Sequence, residues 1–301
     1  MRDAIRGALI GAAVGDALGM PSETDPVALA NAVPVFRRAS RRHPNADLLP
    51  GQYTDDTQLM LAVGELLAEG SYSETAYAGE LCKLHAAGKL RFPDGTVAAA
   101  CEHMAGSGPE KGGIYSATAG CIAPALPFGC ICADPVELRE RVVKACAVTH
   151  THPAAHAGAV AVAVLIAAAV RAHPDPVSLA WKNAILEDTT LGGKIRTAIQ
   201  LEAEGISLDA ALSVLGNDVT VYQTVPFSFF LIARYPSVPD LLALASHAGG
   251  NTDTIGFICG AYAGAAYGLA AFPEDLVAAV EGRGRIENLA ERLYERYARK
   301  D

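Results

Sequence analysis

Residues 7–19 read GALIGAAVGDALG, with glycine at every fourth position, and residues 256–268, GFICGAYAGAAYG, repeat that spacing. In an α-helix, residues four apart lie on the same face. Glycine in a helix costs about 1 kcal/mol relative to alanine, so a row of glycines needs a compensating contact. We predict that both segments are helices and that their glycine rows allow two backbones to pack closely.

The remaining sequence also predicts helices. Ser73 and Ser207 stand where N-cap hydroxyls are expected, and acidic residues follow each of them within one turn. No sustained apolar–polar alternation and no Asn-Gly turn indicates strands. We predict one compact all-α domain over residues 1–301, because no polar linker divides the chain. The predicted helices are 3–18, 57–69, 74–87, 96–105, 134–146, 154–172, 176–186, 191–203, 207–214, 225–233, 238–245, 254–270, 274–281 and 285–299.

The composition of the 301-residue chain excludes some classes of function. Its net charge is −9, and four arginines at 37–42 form a single short basic cluster. We therefore predict that nucleic acid is not a main partner, because binding its backbone needs more extensive clusters of Lys and Arg. The seven cysteines include no CxxC pair, which argues against a zinc site or a disulfide framework and favours a cytoplasmic location.

Two apolar stretches, 154–170 and 255–272, approach the ~20 residues that cross a bilayer. Both consist largely of alanine and glycine. Neither is flanked by Lys and Arg in the pattern that orients membrane segments. We therefore predict buried core helices at both places and no membrane partner.

Acidic residues collect where two helices are predicted to begin. Thr54, Asp55 and Asp56 precede the apolar run at 59–61, and Asp253 and Thr254 open the second glycine-rich helix. Helix N-termini favour carboxylates, so simple capping is one interpretation. Capping does not account for adjacent Asp55 and Asp56, whose like charges need neutralisation if they are buried. A Mg²⁺ or Mn²⁺ site is the other interpretation, because both ions prefer hard oxygen ligands.

The sequence His-Thr-His at 150–152 is a third candidate site. His150 and His152 could bind metal or transfer protons, or they could bond backbone groups at a helix start. The loop at 106–113 could be a lid or an ordinary surface connection. His247 could orient the acidic segment that follows it, whereas Cys146 and Cys259 have no His or Asp at a spacing that indicates a nucleophile.

Four segments, taken in order, resemble the ADP-ribosylglycohydrolase family. They are GALIGAAVGDALGMPSE at 7–23, YTDDTQLM at 53–60, VTHTHPAAHAGAVAVA at 148–163 and SHAGGNTDTIGFICGAYAGAAYG at 246–268. The resemblance implies a compact all-α fold with a binuclear Mg²⁺ or Mn²⁺ centre in a cleft. It also implies hydrolysis of an ADP-ribosyl or related N-ribosyl bond.

The resemblance also implies roles for individual residues. Asp253 is a candidate bridging ligand, and Asp55 or Asp56 is expected to help activate a water molecule. Glu23 corresponds to a gating or metal-linked glutamate and is a further catalytic candidate. The metal-binding candidates are Thr54, Asp55, Asp56, Asn251, Asp253 and Thr254. The substrate-binding candidates are Gly113, Ser116, Gly120, His150, His152 and Gly250.

Two departures from the family pattern affect the expected chemistry. Asn251 replaces a usual Asp, so one metal ion should bind more weakly. Segment 116–124, SATAGCIAP, keeps the family's Ala-Pro but lacks its Asn-Gly and Met-Arg. The substrate is then an ADP-ribosylated protein or a small N-riboside such as a nucleoside. A catalytically silent binding or structural member of the family is the third alternative.

Overall fold

The structure is a computed structural model that describes residues 1–23 and 32–298, and this part of the chain contains fifteen α-helices and no β-strand. The predicted all-α class is confirmed. The helices are α1 (Arg2–Gly19), α2 (Asp55–Glu69), α3 (Glu74–Ala86), α4 (Gly95–Ser107), α5 (Leu126–Ile131), α6 (Pro135–Ala147), α7 (Pro153–Val170), α8 (Pro176–Glu187), α9 (Thr189–Ala203), α10 (Leu208–Leu215), α11 (Val221–Arg234), α12 (Val238–Ala245), α13 (Thr252–Tyr267), α14 (Glu274–Ala279) and α15 (Arg283–Leu293). A π-helical segment, Tyr294–Ala298, follows α15, and residue 299 of the predicted last helix lies outside the described residues.

Several helix bounds differ from the predicted ones, and the differences at α5 and α11 involve proline. α5 is absent from the sequence prediction, although all six of its residues are buried; Pro127 stands in its first turn, where a missing N–H costs little. α11 begins at Val221, four residues before the predicted start at 225, so Pro226 lies inside the helix and not in its first turn. Its neighbours Phe227 and Phe229 are fully buried, and their burial offsets the hydrogen bond that proline cannot donate.

α1 and α13 pack backbone to backbone along the two glycine rows. A Cβ atom added at Gly7, Gly11, Gly15 or Gly19 would overlap a carbonyl group of α13. The predicted close approach is therefore confirmed, with one exception: Gly268 has a φ of 74° and ends α13 instead of joining the contact. The facing pairs are Gly7–Gly264, Gly11–Gly260, Gly15–Gly256 and Gly19–Thr252.

Within the described residues, α7 is the one helix long and apolar enough to cross a membrane by length and composition. However, 89% of that 18-residue window is buried inside the protein, where it packs against α5, α6 and α8. α13 also buries every residue from Thr252 to Ala265. Both predictions of core helices are confirmed. The described helices share one hydrophobic core, while the assignment of residues 1–301 to a single domain stays a prediction.

Candidate active site

A cleft of about 470 Å³ opens where the N-termini of α2, α4 and α13 meet. It brings together residues that are more than two hundred positions apart in the sequence. A second cavity of about 550 Å³ lies along another part of α2 and contains none of the predicted site residues. The predicted catalytic and metal-binding residues that line the cleft are Glu23, Asp55, Asp56, Asn251, Asp253 and Thr254.

The start of α2 combines a cap with two carboxylates that line the cleft. Thr54 is the N-cap residue, and its Oγ1 accepts a hydrogen bond of 3.3 Å from the backbone N–H of Asp56. Asp55 and Asp56 occupy the first turn and are buried, with only 4% and 3% of their surface exposed. Thr54 therefore caps α2, whereas Asp55 and Asp56 line the cleft.

Asp16 is a site residue that the sequence analysis missed. It lies in α1, is fully buried, and accepts hydrogen bonds from the backbone N–H of Thr54 at 3.0 Å and of Thr57 at 3.1 Å. The hydroxyl of Thr57 also donates to Asp16, at 2.6 Å. Asp16 thus links α1 to the start of α2. A single charged residue inside an apolar helical run was the available signal.

The start of α13 is held by a loop that reverses the chain. Gly249 and Gly250 have φ angles of 77° and 66°, a conformation that favours glycine. The side-chain amide of Asn217 donates to the carbonyl oxygens of Ala248 and Gly249, at 2.7 and 2.8 Å. The following residue, Asn251, uses its side-chain N–H to bond Thr224 Oγ1 at 3.0 Å, so its carbonyl oxygen takes no part in that contact.

Asp253, in the first turn of α13, and Glu23, which follows α1, lie close together in the cleft. Asp253 Oδ1 accepts a 2.7 Å hydrogen bond from the backbone N–H of Thr254. Burial, followed by the charges of Asp253 and Asp55, raises the pKa of Glu23 to about 11. Glu23 Oε2 lies 3.2 Å from Nε2 of His43, whose own pKa is lowered by burial. The segment after Glu23, residues 24–31, lies outside the described residues.

The carboxylates of this cluster repel one another. Burial and the charge of Asp253 raise the pKa of Asp16 to about 7. Burial and neighbouring carboxylates also raise the pKa values of Asp55 and Asp56 well above their ordinary range. Oδ2 of Asp56 is buried and has no hydrogen-bond partner. A divalent cation would favour the ionised carboxylates and supply the partner that this buried oxygen lacks, so the site fits a hard divalent cation.

No group of three or more His, Cys, Asp or Glu side chains in the described ranges is arranged as a metal site. Carboxylates alone would therefore not complete a coordination shell. Neutral oxygens are available beside them, from the hydroxyls of Thr54 and Thr254 and from the amide of Asn251. Hydroxyl, amide and carboxylate oxygens are the donors that Mg²⁺ and Mn²⁺ accept, so the residues present fit such an ion.

Asp94, which the sequence analysis also missed, connects the cleft to His150. Its Oδ1 accepts hydrogen bonds from the N–H of Thr96 at 2.7 Å and from the hydroxyl of Thr118 at 3.0 Å. Thr118 Oγ1 lies 2.9 Å from His150 Nε2, and Thr96 Oγ1 donates to the predicted residue Ser116 at 2.9 Å. The chain of contacts is satisfied when His150 carries its proton on Nε2. His150 therefore supports the cleft from behind Thr118.

The other predicted substrate-binding residues are placed differently. Gly120 lines the cleft, and a Cβ atom there would press against Asp94. His152 caps α7 by accepting a 3.1 Å hydrogen bond from the N–H of Ala154, and its ring lies 4.6 Å from that of Tyr115. His152, Gly113 and Gly250 are not among the residues that line the cleft, and their roles stay predictions.

Replacing His150 by Gln should make stability less sensitive to acid. Burial lowers the pKa of His150 to about 4, below the ordinary value near 6.5. The neutral imidazole therefore stabilises the fold fully above about pH 6.5, and this contribution is lost as pH falls toward 4. Urea unfolding measures the free energy of unfolding at each pH. Between pH 7.5 and pH 5.0, this free energy should fall by about 2 kcal/mol more in the wild type than in His150→Gln. Equal losses in the two proteins would contradict this assignment, since the effects of all other groups cancel in the difference.

Comparisons with known proteins place this geometry in a family. The family model described as ADP-ribosylglycohydrolase matches residues 1–301. An uncharacterized protein of Archaeoglobus fulgidus is 32% identical over 99% of this chain and 98% of its own length. The uncharacterized protein YegU of Escherichia coli is 25% identical over 94% of this chain and 93% of its own.

Two further similarities are more limited in what they show. ADP-ribosylhydrolase ARH3 of Danio rerio is 31% identical over only 32% of this chain and 29% of its own length. A solved structure described as an ADP-ribosylglycohydrolase-related protein complex superposes with a TM-score of 0.76, at 24% identity and over 98% of both chains, which shows a shared fold. Because the family model covers the entire sequence, the chain belongs to the ADP-ribosylglycohydrolase family.

Proposed function

We propose that this protein is a divalent-metal-dependent hydrolase that cleaves the bond between the anomeric carbon of a ribose and a nitrogen atom. The observation that carries the proposal is the buried carboxylate cluster in the cleft, in which Asp56 Oδ2 lacks a partner. Further support comes from the family, described as ADP-ribosylglycohydrolase, and from ARH3, named an ADP-ribosylhydrolase. We also propose a cytoplasmic location, in keeping with seven free cysteines.

The metal ions would be held by the starts of two helices. Thr54, Asp55 and Asp56 come from the α2 side, and Asn251, Asp253 and Thr254 come from the α13 side. A pair of Mg²⁺ or Mn²⁺ ions bound there would lower the pKa of a water molecule and orient the ribose hydroxyls. Because Asn251 offers a neutral oxygen, we expect one of the two ions to bind more weakly.

In the proposed reaction, Asp55 or Asp56 accepts a proton from the attacking water. The water oxygen bonds to the anomeric carbon while the carbon–nitrogen bond breaks and the nitrogen keeps its electron pair. In the transition state of this substitution the sugar has oxocarbenium character, and the surrounding carboxylates stabilise its positive charge. Asp16 is a positioning residue, because it acts on the start of α2 through the N–H groups of Thr54 and Thr57.

Removing metal should abolish turnover and lower stability. We expect enzyme treated with chelator and then desalted to hydrolyse an N-riboside at least about 100-fold more slowly, and added Mg²⁺ or Mn²⁺ to restore the rate. Without substrate, a metal concentration 100 times the Kd should stabilise the fold by about 2.7 kcal/mol, measured by urea unfolding. Undiminished turnover by demonstrably metal-free protein would overturn the proposal. Absence of metal binding by calorimetry would instead favour a catalytically silent family member.

A further inference from the structure

The backbone N–H groups at the start of α2 are bonded by residues outside the helical hydrogen-bond pattern. The bonds to Asp16 and Thr54 described above leave the N–H of Asp55, whose acceptor is the carbonyl oxygen of Arg91, at 3.3 Å. A helix has no partners of its own for its first N–H groups, so their acceptors help to determine where it begins. The position of Arg91 therefore helps to fix that of Asp55, a predicted metal-binding residue.

The segment that supplies this carbonyl group is connected to α2 at a second point. Gln58, which lies in the first turns of α2, donates from its side-chain amide to the carbonyl oxygen of Lys89 at 2.9 Å. The side-chain oxygen of Gln58 accepts the backbone N–H of Arg91, at 3.0 Å. These bonds hold the segment along the start of α2, so a displacement of one would displace the other.

The side chain of Arg91 anchors the same segment to the residue before α15. Its guanidinium donates two hydrogen bonds to the carboxylate of Glu281, at 2.5 and 2.9 Å, and one to the carbonyl oxygen of Tyr53, at 2.8 Å. Burial opposes the ionisation of Glu281, but the hydrogen bond and charge of Arg91 lower its pKa, so both partners are charged. A planar guanidinium in a two-point contact fixes the direction of the side chain as well as its distance.

Phe92, the residue after Arg91, has a backbone conformation that needs such an anchor. Its φ is 57°, which is rare for an aromatic residue, and its side chain is 47% exposed, so packing of the ring offsets little of the strain. Strain of this kind persists only where the surrounding structure fixes the backbone. Arg91 does so on one side and Asp94, the N-cap residue of α4, on the other. Because Phe92 and Asp94 line the cleft, the anchor also determines the shape of its edge.

The ion pair between Arg91 and Glu281 lies away from the cleft. Arg91, Glu281, Tyr53 and Gln58 all line the cavity of about 550 Å³, and none of them is among the described residues that line the cleft. Arg91 therefore acts on the cleft through its neighbours and not by contact with a substrate. The two side chains are 23% and 28% exposed, and ion pairs that water reaches contribute little to the stability of the whole fold.

We propose that Arg91 is a positioning residue, anchored by Glu281, that holds the backbone of Asp55 in place for metal binding. The same anchor keeps Phe92 in its strained conformation at the edge of the cleft. The part of this inference that concerns metal rests on the proposed function, whereas the effect on the backbone is a property of the metal-free protein.

Metal affinity, measured by calorimetry with Mg²⁺ or Mn²⁺ alone, tests the inference without a substrate. Arg91→Gln should weaken the Kd by about tenfold or more, and adding Glu281→Gln should weaken it little further, because both changes break one pair. Arg285→Gln is the matched control: Arg285 lines the same cavity, but its ion pair joins Glu65 in the middle of α2, at 3.3 Å. The control should keep the wild-type Kd, and all variants should melt within about 4 °C of the wild type.

Amide hydrogen exchange of the metal-free protein measures the positioning itself. In peptides that cover residues 53–60 and 88–95, Arg91→Gln should speed exchange by on the order of tenfold, and Arg285→Gln should not. Arg91→Lys keeps the charge without the two-point contact, so its exchange should be intermediate.

The two measurements separate this inference from the proposed function. If the wild type binds metal and the variants of the pair match it in both Kd and exchange, the positioning role is overturned and the proposed function stands. If the wild type binds no metal, the proposed function fails, and faster exchange confined to the two segments still supports the anchor. Faster exchange throughout the protein would show that Arg91 serves general stability and would overturn the inference.

Discussion

Replacing Asp253 by Asn is expected to lower kcat/KM by at least about 100-fold. Asp253 lies in the first turn of α13 and lines the cleft. After burial, its charge is the next cause that raises the pKa values of Asp16, Glu23 and Asp56. The substitution keeps the size of the side chain and its ability to accept the hydrogen bond from Thr254. Steady-state kinetics with saturating Mg²⁺ or Mn²⁺ would measure the loss, and it should not be recovered at higher metal concentration.

The same variant should be more stable than the wild type when both are free of metal. The pKa of Asp16 is raised to about 7, so its contribution to stability is present below the ordinary aspartate value near 4 and lost as pH rises through 7. Without the charge of Asp253, the ionised form of Asp16 is repelled less, so less stability is lost as the pH rises. At pH 8, metal-free Asp253→Asn should therefore melt above the metal-free wild type, and metal should no longer stabilise it.

Asp240→Asn is the matched control, because Asp240 is an exposed residue in the first turn of α12. It should leave both activity and the response to metal unchanged. If Asp253→Asn kept wild-type kcat/KM, Asp253 would not belong to the reacting cluster. If it melted below the wild type without metal, the repulsion inferred for the cluster would be wrong.

Replacing Gly15 by Ala is expected to destabilise the fold by about 3 kcal/mol or more. The new methyl group would overlap the carbonyl group of Gly256 and approach the backbone nitrogen of Phe257. Backbone atoms cannot rotate away as a side chain can, so α1 and α13 would have to separate. Urea unfolding, followed by far-ultraviolet circular dichroism, would measure the loss in free energy of unfolding.

Gly79→Ala provides the control for this experiment. Gly79 lies inside α3, and an added Cβ atom there meets nothing within 4 Å. Alanine should therefore stabilise the protein by about 0.5–1 kcal/mol, the ordinary difference in helix propensity. Destabilisation by both substitutions to a similar extent would show that the backbone contact between α1 and α13 is not the cause.

The all-α fold and the acidic residues at two helix starts were predictable because both depend on local sequence patterns. Glycines four apart predict one face of a helix, and an adjacent Asp55–Asp56 pair at a helix start already indicates charge in need of a partner. The extra α5 shows the limit of this approach. Six apolar residues are too few for a helical period to emerge, and Pro127 within them is more typical of a turn.

Asp16 and Asp94 could not be assigned from sequence for a different reason. Each is a single acidic residue whose role depends on partners far along the chain: Thr54 for Asp16, and Thr118 for Asp94. Such contacts exist only once the helices have packed. Likewise, the sequence placed His150 and His152 together, but folding buries the first beside Thr118 and leaves the second as the cap of α7.

The glycine contact between α1 and α13 also restricts the substitutions that this protein can accept during evolution. Asp16 and Asp253 stand on opposite sides of that contact, so their separation is set by backbone against backbone and tolerates no added methyl group. New substrate preferences should therefore arise elsewhere. We expect natural variants with altered specificity to differ around Phe92 and Asp94, which also line the cleft. The carboxylates of Asp55, Asp56 and Asp253 should be retained in those variants.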